Sequence, residues 1–251
     1  MPFAHHPALT QVAVRGGANP LSIMGAALVG WWTADRDDLI TQSGGLVSSW
    51  KDVIGAYDLV QSSGTLKPVY SATSFGGRPG VTFDGVDDYL RRVGTPATFP
   101  TSNNYSEIWY IGSQDALAAD TTSRYVAAYG GTGSNSDSRS IRRTVSTTNR
   151  AGAVAGSVTT AITSGTPDFG GRHYIRAVFD ATNGLTPYID GNAGATSAAT
   201  PGTNTDRVTF GGSNSTPTGL WNGSIHQVLV LNAQPDATQL AALNAYFAAR
   251  I

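Results

Sequence analysis

Residues 81–90 constrain the fold of this chain more than any other stretch. Apolar and polar residues alternate as far as Phe83, Asp84-Gly85 follows, and an extended pattern resumes at Tyr89. Asp-Gly is a turn sequence, because glycine adopts positive φ without steric cost. The stretch therefore predicts two strands joined by a tight turn at Asp84 and Gly85. Two strands alone are only marginally stable, so the rest of the chain must supply more strands and a second apolar layer.

Residues that favour helices are scarce. The chain of 251 residues contains 30 glycines, one glutamate (Glu107) and two lysines (Lys51 and Lys67). Charged residues make up 13% of it, against roughly 25% in an average globular protein. The apolar fraction of 40% is enough for a large core. Strands joined by many turns fit this composition better than helices, and we predict an all-β fold.

The charge of the chain excludes some classes of partner. The formal net charge of −1 argues against nucleic acid. Arg139, Arg142, Arg143 and Arg150 form the only basic cluster, which we predict to be an exposed hairpin. The chain has no cysteine, which excludes disulfides and thiolate metal sites. No segment is long and apolar enough to span a membrane, and we expect no membrane insertion.

Three later segments indicate how the chain is layered. Residues 173–180 and 185–190 predict a hairpin whose second strand ends in a turn at Asp190 and Gly191. Residues 228–231 are four consecutive apolar residues, a pattern that is typical of a strand covered on both faces. Only the segment after residue 235 has the apolar spacing of a helix, and we expect it to pack on the sheets.

The N-terminal residues have a different character. Residues 1–25 contain His5-His6, three prolines and Gly16-Gly17 without sustained periodicity. We predict an extended arm over residues 1–25, suited to lying along a neighbouring subunit, and one folded domain over residues 26–251. The apolar run at residues 21–32 lacks the basic start and the cleavage site of a signal peptide, and we interpret it as the first core strand.

Six short motifs occur in a fixed order along the chain. They are Val29-Gly-Trp-Trp-Thr-Ala-Asp35, Val47-Ser-Ser-Trp-Lys-Asp52, Pro68-Val-Tyr70, Val81-Thr-Phe-Asp-Gly-Val-Asp-Asp-Tyr-Leu90, Tyr188-Ile-Asp-Gly191 and Trp221-Asn-Gly-Ser-Ile225. In this order, over residues 26–250, the chain resembles the concanavalin A-like jelly roll of the laminin G-like superfamily, in its bacterial and bacteriophage form. The resemblance implies a sandwich of two antiparallel sheets with a short C-terminal helix. Its members include lectins, adhesion modules, glycan hydrolases and virion components, so the fold does not fix the function.

The expected acid pair of a glycoside hydrolase is missing from the sequence. Such enzymes need two facing carboxyl groups, and hydrolases of the resembling superfamily place two glutamates on one strand. Glu107 is the only glutamate here. Asp84 with Asp87 or Asp88 is the remaining candidate pair. On this ground we predict that the chain is not an enzyme.

Two binding sites can be suggested. Relatives of the resembling superfamily bind calcium at the sandwich rim through carboxylates and carbonyls, which makes Asp87 and Asp88 candidate calcium ligands; no other cofactor is indicated. Sugar binding usually needs an exposed aromatic ring with polar neighbours. Most tryptophans are expected to cover the core, but Trp221 and Tyr129 are flanked by loops rich in glycine, serine and asparagine. With Asn222 they are the candidate ligand-binding residues.

These observations lead to one preferred function and two alternatives. We predict a non-catalytic virion component of a bacteriophage, a capsid decoration or tail protein. It would be a homo-oligomer that binds other virion proteins through residues 1–25 and displays a lectin-like jelly roll to partner proteins or to a host-surface glycan. The first alternative is a glycan-binding lectin on a bacterial cell surface or outside the cell. The second is a polysaccharide-cleaving enzyme.

Overall fold

A computed structural model describes the chain at residues 18–55, 57–94, 98–100, 105–114, 123–130, 138–144, 150–155, 158–161, 171–198, 207–213 and 218–251. Its strands are β1 Leu28–Thr33, β2 Ile40–Ser43, β3 Leu46–Trp50, β4 Leu59–Val60, β5 Val69–Phe75, β6 Arg78–Asp84, β7 Leu90–Val93, β8 Ser106–Gln114, β9 Arg124–Gly130, β10 Ser138–Thr144, β11 Arg150–Ala155, β12 Val158–Ala161, β13 Arg172–Asp180, β14 Gly184–Ile189, β15 Asn192–Ala193, β16 Arg207–Phe210 and β17 Asn222–Leu231. The α-helices of these ranges are α1 Pro20–Met24 and α2 Ala237–Ala248. The all-β prediction is confirmed.

The strands pair in antiparallel fashion and fall into two groups. In the first sheet, β17 pairs with β8, β8 with β13, β13 with β14 and β14 with β15, while β1 and β6 share the other side of β17. The second sheet has the order β2, β3, β4, β7, β16, β9, β10, β11, β12. β5 connects the groups, because it pairs along β6 and meets β3 at Val69 opposite Leu46.

The two sheets pack face to face on a core of aromatic rings. Trp32 of the first sheet meets Phe210 of the second edge-on, with 5.0 Å between ring centroids, and Phe210 meets Trp50 at 5.9 Å. All three rings are buried. Edge-to-face contacts of this kind add to the stabilisation that burial alone provides. The prediction of two stacked antiparallel layers is confirmed.

β17 explains why residues 228–231 are apolar in succession. Val228 and Val230 belong to the core between the sheets, whereas Leu229 and Leu231 belong to a second cluster on the opposite face of the first sheet. That second cluster includes residues of α2. The strand is therefore covered on both faces, as its sequence predicts.

The C-terminal helix covers the outer face of the first sheet. α2 begins after Asp236, whose side chain accepts from the Gln239 N–H at 2.8 Å while the Gln239 side chain accepts from the Asp236 N–H at 3.0 Å. This capping box satisfies the first amides of the helix. Phe247 then stacks on Trp109, with 5.1 Å between centroids. The predicted helix is confirmed, and no helix in the described ranges has the length and apolarity to cross a membrane.

The N-terminal boundary needs a correction. Residues 20–24 of the predicted extended arm form α1, because Asn19 caps the helix with Ser22 and Pro20 occupies its first turn. Met24 is buried in the same cluster as Leu243 of α2. The packed part of the chain therefore begins before residue 26, and residues 1–17 of the arm lie outside the described residues.

Candidate functional site

The chain passes from one sheet to the other through a turn that carries three aspartates. β6 ends at Asp84 beside β17, and β7 begins at Leu90 beside β16. One carboxylate oxygen from each of Asp84, Asp87 and Asp88 lies within 4.8 Å of the others. We call residues 84–88 the acidic turn. Its place at the rim brings three carboxyl groups together where the two sheets meet.

The backbone of the acidic turn is held by the side chain of its first residue. Asp84 Oδ1 accepts hydrogen bonds from the N–H groups of Val86 and Asp87, at 2.8 and 3.2 Å. Gly85 has φ +76, and a Cβ placed on it would lie 2.7 Å from the side chains of Arg124 and Asn222. Glycine is required there by both conformation and space. The predicted turn at Asp84 and Gly85 is confirmed.

Asp88 is the buried member of the acidic turn. Its Oδ2 accepts from the Asp84 N–H at 3.0 Å. Burial raises the pKa of the Asp88 carboxyl to about 6; the bond from Asp84 opposes the rise, and the charges of Asp84 and Asp87 add to it. A carboxyl with a pKa near 6 is partly protonated in weakly acidic solution and can donate its proton there, as general acid catalysis requires.

A shallow groove lies on the second sheet, and one of its walls is Tyr89, the residue that follows the acidic turn. It has a volume of about 700 Å³, within the usual range of ligand pockets. We call it the Tyr89 groove. It is lined by Ser48, Asp58, Val60, Gln61, Ser62, Tyr89, Arg91, Arg92 and Val93.

The walls of the Tyr89 groove combine apolar surface with polar groups. Val60 and Val93 are 52% and 76% exposed, and the guanidinium of Arg91 lies 5.1 Å from the centre of the Tyr89 ring. Gln61 holds the backbone of Tyr89 in place, because its Nε2 donates a hydrogen bond to the Tyr89 carbonyl at 3.2 Å. An aromatic ring, open methyl groups and fixed hydrogen-bonding groups suit a ligand that is apolar on one face and polar at its edge.

Trp221 and Tyr129 are core residues rather than ligand-binding ones. Both side chains are buried; Trp221 packs edge-on against Tyr110 at 5.9 Å and Tyr129 against Phe99 at 5.2 Å. Neither ring offers a face to a ligand, which corrects the expectation drawn from their flanking loops. Asn222 is partly exposed and stands opposite Asp84 at the start of β17. It borders the acidic turn, and its role in binding stays a prediction.

The basic cluster is also placed differently from the expectation. The predicted hairpin exists, since β10 and β11 pair from Thr144 opposite Arg150 to Arg139 opposite Ala155. It is not exposed, however: Arg139 and Arg143 are buried, with the Arg139 guanidinium 5.5 Å from the Tyr129 ring. The reason is that Arg139 and Arg143 lie on the same face of β10 as Ile141, which belongs to the core between the sheets. The side chain of Arg150 lies outside the described residues.

The turn predicted at Asp190 and Gly191 joins β14 to β15. Both residues have positive φ, +47 and +83. Asp190 is held there because its carboxylate accepts from the Tyr174 N–H at 3.1 Å and lies 2.7 Å from His173 Nδ1. These contacts assign Asp190 and Gly191 a structural role, as the sequence predicts.

Sequence reasoning missed Tyr89 as a site residue. The sequence did contain a pattern that indicates its exposure. Side chains alternate along a strand, and because the apolar Leu90 faces the core, Tyr89 must point away from it. The other walls of the groove come from β3, β4 and the residues after β4, which no local pattern connects to β7. The pairing of Val60 with Arg91 and the hydrogen bond from Gln61 to the Tyr89 carbonyl bring them together.

Comparison with known proteins identifies the fold. No family model and no curated protein matches the chain. Among solved structures, a Trypanosoma rangeli sialidase in complex with sialic acid aligns with TM-score 0.62 and 14% identity. The alignment covers 88% of this chain and 33% of the sialidase chain. An arabinofuranosidase complexed with arabinofuranosyl-α-1,2-xylobiose aligns with TM-score 0.65 and 12% identity. The alignment covers 93% of this chain and 65% of the arabinofuranosidase chain.

A third structure is matched over nearly its whole length. It is domain 4 of AbnA, a GH43 extracellular arabinanase from Geobacillus stearothermophilus, in complex with arabinotriose. It aligns with TM-score 0.53 and 13% identity over 86% of this chain and 98% of its own. At such identities the likeness establishes a shared fold. The chain spans about a third of the sialidase, whose whole activity therefore does not transfer.

These neighbours overturn two predictions made from the sequence. The named structures are glycoside hydrolases or a domain of one, and none is a virion protein. The prediction of a non-catalytic bacteriophage virion protein is therefore wrong, as is the prediction that the chain is not an enzyme. The second of these predictions relied on the missing glutamate pair.

Proposed function

We propose that this chain is a carbohydrate-active domain of the glycoside-hydrolase kind, which binds an oligosaccharide in the Tyr89 groove beside the acidic turn. One observation carries the proposal: the aromatic wall of an open groove is Tyr89, the residue that directly follows a turn with three clustered carboxyl groups. The fold shared with sialidase and arabinanase structures supports it. We also propose the finer fold assignment, a concanavalin A-like jelly roll, because β6 and β7 carry the chain between two packed antiparallel sheets.

Binding is tested by calorimetry with two probes that the neighbours contain, arabinotriose and sialic acid. We expect Tyr89→Ala to weaken the binding of the bound probe at least tenfold. Tyr188→Ala is the matched control, because Tyr188 also lies against an arginine, with the Arg176 guanidinium 4.6 Å from its ring, but on the first sheet. Equal losses in both variants, or no binding of either probe, would contradict the proposed site.

Hydrolysis at the acidic turn is a second candidate function. It is favoured because three carboxyl groups lie together, with one oxygen of each within 4.8 Å of the others, and glycoside hydrolysis needs a pair of neighbouring carboxyl groups. Asp88 would donate the proton and Asp84 or Asp87 would face the sugar carbon. Release of reducing ends from arabinan or a sialoside should be lost in Asp88→Asn and kept in Asp38→Asn, an exposed aspartate elsewhere. Release that survives in Asp88→Asn would exclude this assignment.

Calcium is an alternative occupant of the same turn. Asp84, Asp87 and Asp88 offer the hard oxygen donors that calcium prefers, and a bound cation would relieve the repulsion that helps to raise the pKa of Asp88. Calorimetric titration of the chain with Ca²⁺ separates the two roles. If the turn binds calcium, heat is released in the wild type and lost in Asp87→Asn, and Asp88 is then a ligand rather than an acid.

A further inference from the structure

Arg91 lies on the outer face of the second sheet, where it lines the Tyr89 groove. Its neighbour in β7, Leu90, belongs to the core, and side chains alternate along a strand, so Arg91 points the other way. Val60 of β4 stands opposite Arg91 on one side, and Thr209 of β16 stands opposite it on the other. Residues that stand opposite one another in a sheet share a face. Arg91 is therefore flanked by both neighbouring strands.

The Arg91 guanidinium is held at a defined place in the groove. Its Nε donates to Thr209 Oγ1 at 3.4 Å, and its Nη2 donates to the Ser213 carbonyl at 3.5 Å. Its central carbon lies 5.1 Å from the centre of the Tyr89 ring. A hydroxyl and a carbonyl are neutral acceptors, so these contacts orient the guanidinium without neutralising its charge. The groove thus has a positioned cation beside its aromatic wall.

The charges that line the Tyr89 groove are positive on balance. Arg91 and Arg92 are cationic, and Asp58 is the one anionic residue of the lining. Asp58 takes part in none of the ion pairs found among the described residues. The carboxylate of the groove therefore does not neutralise either arginine by direct contact.

A third arginine adds positive charge to the same face. Arg207 of β16 stands opposite Val93, two residues along the strand from Thr209, so it shares the outer face with Arg91. Burial lowers the pKa of Arg91, and the charge of Arg207 lowers it further. Like charges that are held near one another repel, and an anion bound beside them relieves the repulsion.

We propose that the Tyr89 groove selects sugars that carry a carboxylate, which the Arg91 guanidinium binds through its N–H groups while the Tyr89 ring contacts the apolar face of the sugar. This inference rests on the proposed function and names the substrate class of the same site. The planar guanidinium matches the geometry of a carboxylate. Sialic and uronic acids carry that group, and a neutral sugar such as arabinotriose lacks it.

Calorimetry on the wild-type chain tests the preference by changing the ligand alone. Two acidic probes, sialic acid and trigalacturonic acid, are compared with their methyl esters, which keep the sugar and lose the charge. We expect at least one acid to bind about tenfold or more tightly than its ester, as the loss of a hydrogen-bonded charge pair predicts. The comparison does not depend on how well a variant folds.

Two variants assign the preference to Arg91. In Arg91→Gln we expect the acid and its ester to bind alike. Arg36→Gln is the matched control, because it also removes one positive charge, from an exposed ion pair with Asp38 outside the groove. It should keep the full preference for the acid.

The outcomes separate this inference from the proposed function. If acids and esters bind the wild type equally and Tyr89→Ala weakens both, the groove stays a sugar site and the selection of acidic sugars is refuted. A preference for the acid that persists in Arg91→Gln also refutes it. If neither the acids, the esters nor arabinotriose bind, the groove is not a sugar site, and the proposed function fails together with this inference.

Discussion

Arg176 donates two hydrogen bonds to Glu107 across the paired strands β13 and β8, from Nη2 to Oε1 at 2.6 Å and from Nε to Oε2 at 3.0 Å. The carboxylate is fully buried and also accepts from Trp109 Nε1 at 2.7 Å and from the Tyr105 hydroxyl. The only glutamate of the chain thus has a structural role. It cannot serve as a catalytic acid, because its oxygens are already bound to four donors.

Removing the charge of Glu107 should destabilise the protein strongly. Glu107→Gln keeps the shape but leaves the buried Arg176 without a counter-charge, so the free energy of unfolding should fall by about 3–5 kcal/mol. Chemical denaturation measures this loss. Asp38→Asn breaks the exposed Arg36–Asp38 pair and should cost less than about 1 kcal/mol. Similar costs in both variants would show that burial of the Glu107–Arg176 pair contributes nothing.

Asp88 should make the protein less stable as the pH rises. Because burial raises its pKa to about 6 in the folded state, the folded chain holds a proton that the unfolded chain has lost between about pH 4 and 6. More protons bound in the folded state means that stability falls with rising pH over this window, and the loss is complete above it. Asp88→Asn should therefore stabilise the protein at pH 7, by roughly 1 kcal/mol, and have no such effect at pH 4.

Denaturation of the wild type and Asp88→Asn at both pH values provides the measurement. Asp87→Asn is the control, because Asp87 is partly exposed at the tip of the same turn. It should change stability little at either pH. Stabilisation by Asp88→Asn that is equal at pH 4 and pH 7 would contradict the raised pKa.

Trp221 should matter for folding rather than for ligand binding. Its ring is fully buried, so Trp221→Ala leaves a cavity and should lower the free energy of unfolding by about 3–5 kcal/mol. Trp221→Phe retains most of the packing and should cost much less. Calorimetry on the folded Trp221→Phe variant should give the oligosaccharide affinity of the wild type, and a tenfold loss there would restore the ligand-binding role first suggested by the sequence.

Much of the fold could be predicted from local patterns in the sequence. The Asp84-Gly85 turn, the succession of apolar residues in β17 and the spacing of Leu243, Tyr246 and Phe247 in α2 each follow from short-range geometry that one segment contains. All three agree with the structure. The same reasoning failed at α1, because a helix of five residues has too few turns to show a period and depends on its cap and its contacts.

The site depended on contacts between distant residues. Flanking glycines and serines suggested exposure for Trp221 and Tyr129, but exposure is decided by what packs against a side chain, not by its neighbours in sequence. Arg139 and Arg143 are buried for the same reason, since they share a face of β10 with Ile141, a residue of the core between the sheets. Tyr89 is part of a groove because the pairing of Val60 with Arg91, and the hydrogen bond from Gln61 to the Tyr89 carbonyl, bring distant segments together.

The most direct test of the proposed function is an NMR map of the surface that an oligosaccharide contacts. Arabinotriose, and separately sialic acid, would be titrated into the isotope-labelled protein while backbone amide shifts are followed. We predict that the probe that binds moves the amides of Gln61, Tyr89 and Val93 and those of the acidic turn, and leaves β13 and β14 unchanged. Saturable shifts that cluster on β13 and β14, or the absence of shifts with both probes, would contradict the account.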